Sequence, residues 1–68
     1  MVNKMKKKEI EKFYYSRKEM KLIKKVDLFT TKDDAIKESE KEVLENDDLY
    51  IRLFYKNNGH YIGSFIKR

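Results

Sequence analysis

Sixty-eight residues make one small domain, which buries only about 60% of the surface its unfolded chain exposes, so any core is small. The lack of cysteine removes disulfides and thiolate ligands, and a lone histidine, His60, is too little for an imidazole zinc site, so neither metal nor cofactor is expected. Seventeen basic against twelve acidic residues give a net charge of +5, while nine aromatics argue for a folded core rather than a disordered polyelectrolyte.

The charge is segregated along the chain. Residues 1–25 carry +7, residues 26–49 carry −6 and residues 50–68 carry +4. Such asymmetry points to an interaction surface. The N-terminal stretch lacks the apolar run of a signal peptide, and no segment is apolar enough to span a bilayer, which leads us to expect a soluble cytoplasmic protein with no membrane partner. Fourteen lysines beside three arginines, with abundant Ile, Asn, Tyr and Glu, are what A+T-rich coding yields, as in phages and other mobile elements.

In chain order, residues 1–8 read as a flexible basic tail and residues 9–68 as the α+β domain. Phe13-Tyr14-Tyr15 predicts one strand, and the alternation of Met20, Leu22, Val26 and Leu28 predicts a second. The competing reading is one basic helix over about 4–25, with Ile10, Phe13, Arg17, Met20 and Ile23 on one side. A helix follows over about 31–46, capped by Thr30 or Thr31, with Asp33 and Asp34 in its first turn and a stripe of Ala35, Ile36, Val43 and Leu44. Asn46-Asp47-Asp48 ends it.

The C-terminal segment predicts a hairpin turning at Asn58-Gly59 as a two-residue type I′ loop. In that register Tyr55 meets Ile62, Leu53 meets Ser64 and Ile51 meets Ile66, while Lys56 meets Tyr61, Phe54 meets Gly63 and Arg52 meets Phe65. The predicted order is therefore β-β-α-β-β, a two-layer domain with one helix on an antiparallel sheet, the alternative being α-β-α-β-β. Leu49 through Ser64 also resembles, over about sixteen residues, the first hairpin of the GIY-YIG nuclease family, which shares the Asn-Gly turn and a Tyr-Ile-Gly-Ser strand. Leu49 stands where that family has its first glycine, and no catalytic residue is carried over.

No phosphate loop, nucleophile arrangement or metalloprotease spacing is present in the sequence, so a non-enzymatic protein is expected. Its candidate binding face is Tyr50, Arg52, Phe54, Lys56, Tyr61 and Phe65, with Lys6, Lys7, Lys8 and Arg17 from the basic N-terminal segment. Large apolar groups on both faces of a sheet suggest a protein-interaction module, self-associating or docking on a larger partner as an inhibitor or adaptor. Aromatics interleaved with cations support nucleic-acid binding as the second reading.

Overall fold

The structure, a computed structural model, describes residues 6–68. Its elements are β1 (Lys8–Ser16), β2 (Lys21–Thr30), α1 (Lys32–Glu45), β3 (Leu49–Tyr55) and β4 (Tyr61–Ile66). All four strands form one antiparallel sheet in the order β2-β1-β3-β4, so the chain follows the β-β-α-β-β reading and not the helical alternative for its N-terminal third. As a helix that segment would have had a stripe interrupted at Ser16-Arg17. As a hairpin it places β1 in the middle of the sheet, with both backbone edges hydrogen-bonded. Of the basic tail expected over residues 1–8, residues 1–5 lie outside the described residues and Lys8 already belongs to β1.

Thr31 caps α1, its hydroxyl accepting from Asp34 N at 3.1 Å, and Asp33 and Asp34 meet the positive end of the helix dipole. Ala35, Ser39 and Val43 recur every four residues and are all buried. Their small side chains bring the helix backbone close to β3 and β4. Leu44, expected in the stripe, is instead 63% exposed, because it sits about 100° around the helix from Val43. The core proper is Ile10, Ala35, Val43, Ile51 and Leu53, flanked by Tyr14, Leu28, Ile36, Leu49, Tyr55, Ile62 and Phe65.

The β3–β4 hairpin differs from its sequence reading in a way that matters for the site. Its loop is four residues, Lys56 to Gly59: Tyr55 N donates to His60 O at 2.8 Å and Gly59 N donates to Tyr55 O at 2.8 Å. Gly59 supplies the left-handed conformation, φ +71°, that closes it. Pairs now run Phe54 with Tyr61, Leu53 with Gly63, Arg52 with Ser64, Ile51 with Phe65 and Tyr50 with Ile66, with Ile62 taken up where the register shifts between Leu53 and Phe54. The expected register would have turned Phe65 to solvent and Ser64 inward. The bulged register instead sends both Ile62 and Phe65 to the core, and burial of the larger apolar surface decides between them. Gly63 makes room for this, since a Cβ there would stand 3.2 Å from Phe65 Cζ.

At the opposite end of the sheet, Asp48 ties the β1–β2 turn to the α1–β3 connection. Its carboxylate accepts from Ser16 Oγ at 2.7 Å and from Lys18 N at 2.7 Å, and its carbonyl accepts from Arg17 N at 2.7 Å. Ser16 Oγ in turn accepts from Glu19 N at 3.0 Å. The Ser16 hydroxyl first, then the Lys18 amide, hold the Asp48 carboxyl below its ordinary pKa. The stability this brings is present above the ordinary carboxylate range and is lost as pH falls through the lowered folded value. Asp48→Asn should therefore lower the melting temperature at neutral pH and flatten its decline between about pH 4 and 2, the range set by the carboxylate reference value. A wild-type acid limb of unchanged steepness in the variant would contradict the clamp.

A second polar device lies under the helix. Lys12, on central strand β1, is 3% exposed, and its ammonium donates to Glu42 of α1 while lying 5.1 Å from the centre of the Tyr14 ring. Burial alone would lower the Lys12 pKa, but hydrogen bonds with Glu42 and Tyr14 outweigh it and the net shift is upward. This stabilisation is thus complete below the ordinary lysine value and is lost as pH rises through the folded one. Glu42→Ala leaves a buried ammonium unpaired and should cost about 3 kcal/mol, the lower end for a broken buried pair because Glu42 keeps 30% of its side-chain surface. Lys12→Met combined with Glu42→Met should recover most of that loss in urea unfolding. A double variant no more stable than Glu42→Ala would show that the pair itself carries the packing.

Candidate interaction face

One helix covers one side of the sheet, and the strands' alternation sends every second residue to the other. On β3, Ile51 and Leu53 are buried beneath the helix, so Tyr50, Arg52 and Phe54 lie on the open face. On β1, Ile10, Lys12 and Tyr14 point to the helix side, which places Glu9, Glu11, Phe13 and Tyr15 on the open face beside them. β4 adds Tyr61, Ser64 and Ile66.

The aromatics on this face form one continuous cluster. The Tyr50 and Tyr15 ring centres are 5.5 Å apart, Tyr15 and Phe13 6.5 Å, Phe13 and Phe54 5.6 Å, and Phe54 and Tyr61 5.7 Å. Most meet edge-on or tilted, the arrangements favoured by the ring quadrupole and worth about 0.5–1.5 kcal/mol per pair beyond area. Arg52 lies across the middle, its guanidinium 5.3 Å from the Phe54 ring centre and 5.9 Å from that of Tyr61. Its buried Nε has no hydrogen-bond partner, and among the described residues no carboxylate stands within ion-pair distance of it. Ser64 Oγ joins the two outer tyrosines, at 2.7 Å from Tyr61 Oη and 3.4 Å from Tyr50 Oη.

Of the residues expected to form the binding face, Tyr50, Arg52, Phe54 and Tyr61 come together. Phe65 does not, since the bulged register turns it to the core. Lys56 sits in the hairpin loop and meets Asp27 at 3.3 Å rather than Tyr61. That contact, ahead of Lys25, holds the Asp27 carboxyl below its ordinary pKa. Lys25 bridges Glu11 at 3.0 Å and Asp27 at 3.6 Å. Arg17 lies at the far end, where Nη1 donates to Asp47 O at 3.1 Å and Lys67 O at 3.4 Å. Lys6 and Lys7 precede β1, and Lys7 and Lys8 line a recess with His60 at the hairpin end. Phe13 and Tyr15 are the members that sequence reasoning missed; the alternation about the inward Tyr14 was the signal that could have found them.

At the turn end the cluster runs into a shallow recess of about 410 Å³ lined by Tyr15, Arg17, Met20, Tyr50 and Ile66. Among the described residues no group of His, Cys, Asp and Glu is arranged to hold a metal ion, and no helix is long and apolar enough to cross a membrane. The fold and the open face define a two-layer α+β domain with one sheet face that the described residues leave uncovered. Comparison with protein-family models, curated proteins and solved structures found no significant match.

Phe65 and Tyr61 separate core from face. Phe65→Ala should cost about 2–3 kcal/mol, below the range for a fully buried phenylalanine because the ring is part-exposed, whereas Tyr61→Ala, at a residue 56% exposed, should cost under about 1 kcal/mol. Urea unfolding checks this, and equal losses would contradict the observed register.

Proposed function

We propose that the protein is a small non-enzymatic interaction module whose open sheet face docks on protein. The observation that carries this reading is the continuous cluster of Phe13, Tyr15, Tyr50, Phe54 and Tyr61 about Arg52, on a face that the chain's helix leaves uncovered. Tyr, Phe and Arg are the residues enriched at the centres of protein interfaces. Arg52, with an unpartnered Nε, needs an acceptor that a docking protein can supply.

The charge on the face ranks protein above nucleic acid. Apart from Arg17 at its turn end, its cations Lys25, Arg52 and Lys56 are matched in number by the carboxylates Glu9, Glu11 and Asp27, and both lysines are already in ion pairs. A platform for single-stranded nucleic acid needs open ring faces, and here the rings lean on one another and Arg52 lies over two of them.

Because the sequence has no cysteine, Tyr61→Cys places one thiol on the face. The thiol should react readily with maleimide in dilute purified protein and be protected at least fivefold in the cells that naturally make the protein, where the partner is present. Equal labelling in both settings would contradict docking through this face, and protection lost on nuclease treatment would transfer the face to nucleic acid.

A further inference from the structure

We infer that the occupant of the open face is a second copy of the chain, packed face to face about a two-fold axis lying in the interface, with Phe29 of each copy seated in the turn-end recess of the other. This rests on the docking reading above and names its partner.

Three observations carry it. The first is a matched pair of features at opposite ends of the face. Phe29 lies opposite Glu9 in the β1–β2 register, on the side away from Leu28 and the core, and 67% of it is exposed. The recess of Tyr15, Arg17, Met20, Tyr50 and Ile66 lies at the other end, where Met20 and Ile66 are themselves exposed. Residues 9 and 15 of β1 are six positions apart, roughly 20 Å along a strand. Phe29 is on edge strand β2 and the recess spans β1, β3 and β4, so an in-plane two-fold axis crossing the strands obliquely through the middle of the face sets each Phe29 over the other copy's recess, the reciprocal contact an isologous interface requires.

The second observation is charge. The chain carries +5, but the open face sets three carboxylates, Glu9, Glu11 and Asp27, beside Lys25, Arg52 and Lys56, with Arg17 at its turn end, so two copies meet less repulsion there than across the Lys-rich N-terminal segment. The same axis brings Arg52 of one copy towards the Glu11 end of the other, where its unpartnered guanidinium finds a carboxylate. The third is area. Four strands about 4.8 Å apart and up to about 30 Å long outline a face on the order of 500 Å², and side-chain relief raises this towards the roughly 800 Å² per partner of a stable interface. Among the described residues only five apolar side chains are buried in one copy, so pairing would also enlarge a small core.

The test uses the full chain. Sedimentation equilibrium from about 1 to 500 µM should show a monomer–dimer equilibrium that holds or tightens between 0.1 and 0.5 M salt, because added salt screens the repulsion between two +5 chains. Phe29→Ser should weaken it at least tenfold with an unchanged circular dichroism spectrum. Mixing Phe29→Cys with Met20→Cys and oxidising should give the mixed disulfide in clear excess over either symmetric one. A dimer that crosslinks only through 29–29 or 20–20 would overturn the arrangement, as would a dimer indifferent to Phe29→Ser. A strict monomer at all concentrations, with Tyr61→Cys still protected in cells, would overturn self-pairing and leave the docking face to another protein. A monomer whose Tyr61→Cys is labelled everywhere would overturn both.

Discussion

A four-stranded sheet has two faces, and the described chain has one fourteen-residue helix to cover them. α1 lies over β3 and β4 and reaches β1 through Glu42 and Lys12. The other side of every strand must be either polar or intended for something else. β1 and β3 answer with Phe13, Tyr15, Tyr50 and Phe54, large apolar side chains that isolated solvent exposure would not favour. Their mutual packing and the overlying Arg52 lower that cost within one copy. They do not remove it, and this remaining exposed surface motivates the proposed interface.

The two polar devices that tie the elements together lie away from the open face. The Lys12–Glu42 pair lies beneath the helix, and the Asp48 clamp closes the turn end through Ser16 and the Lys18 amide. The ions on the open face, Lys25, Asp27 and Lys56, are largely solvated and contribute little to folding. Changes at the most exposed rings of the face, Tyr61 and Phe29, can therefore be made while leaving the fold in place.

Much of the architecture was legible because local signals agreed with one another. Thr30-Thr31 with Asp33 and Asp34 marked the helix start, the fold choosing Thr31 as the cap, and alternation through Ile51 and Leu53 marked β3 and its two faces. The failures have a common cause in tertiary packing. Asn58-Gly59 favours a two-residue turn locally, but a longer loop and a bulge bury both Ile62 and Phe65, and that gain decides the register. Leu44 looked inward by hydrophobicity, yet the helix approaches the sheet along its small residues Ala35, Ser39 and Val43. Asp48 read as a helix terminator, and only the folded chain brings Ser16 and Lys18 to it. The candidate face was half visible: β3 declared itself, whereas Phe13 and Tyr15, although they alternate with Tyr14, join it only because tertiary pairing sets β1 beside β3.

The most direct measurement of the central claim is solvent paramagnetic relaxation of the individual aromatic rings, by NMR, at several protein concentrations. At high dilution Tyr61 and Phe29, each more than half exposed, should relax strongly and Phe65 weakly, with Tyr61 and Phe29 becoming protected as concentration rises. If Phe65 relaxes as strongly as Tyr61, or if Tyr61 and Phe29 are already shielded at high dilution, the sheet has no uncovered aromatic face.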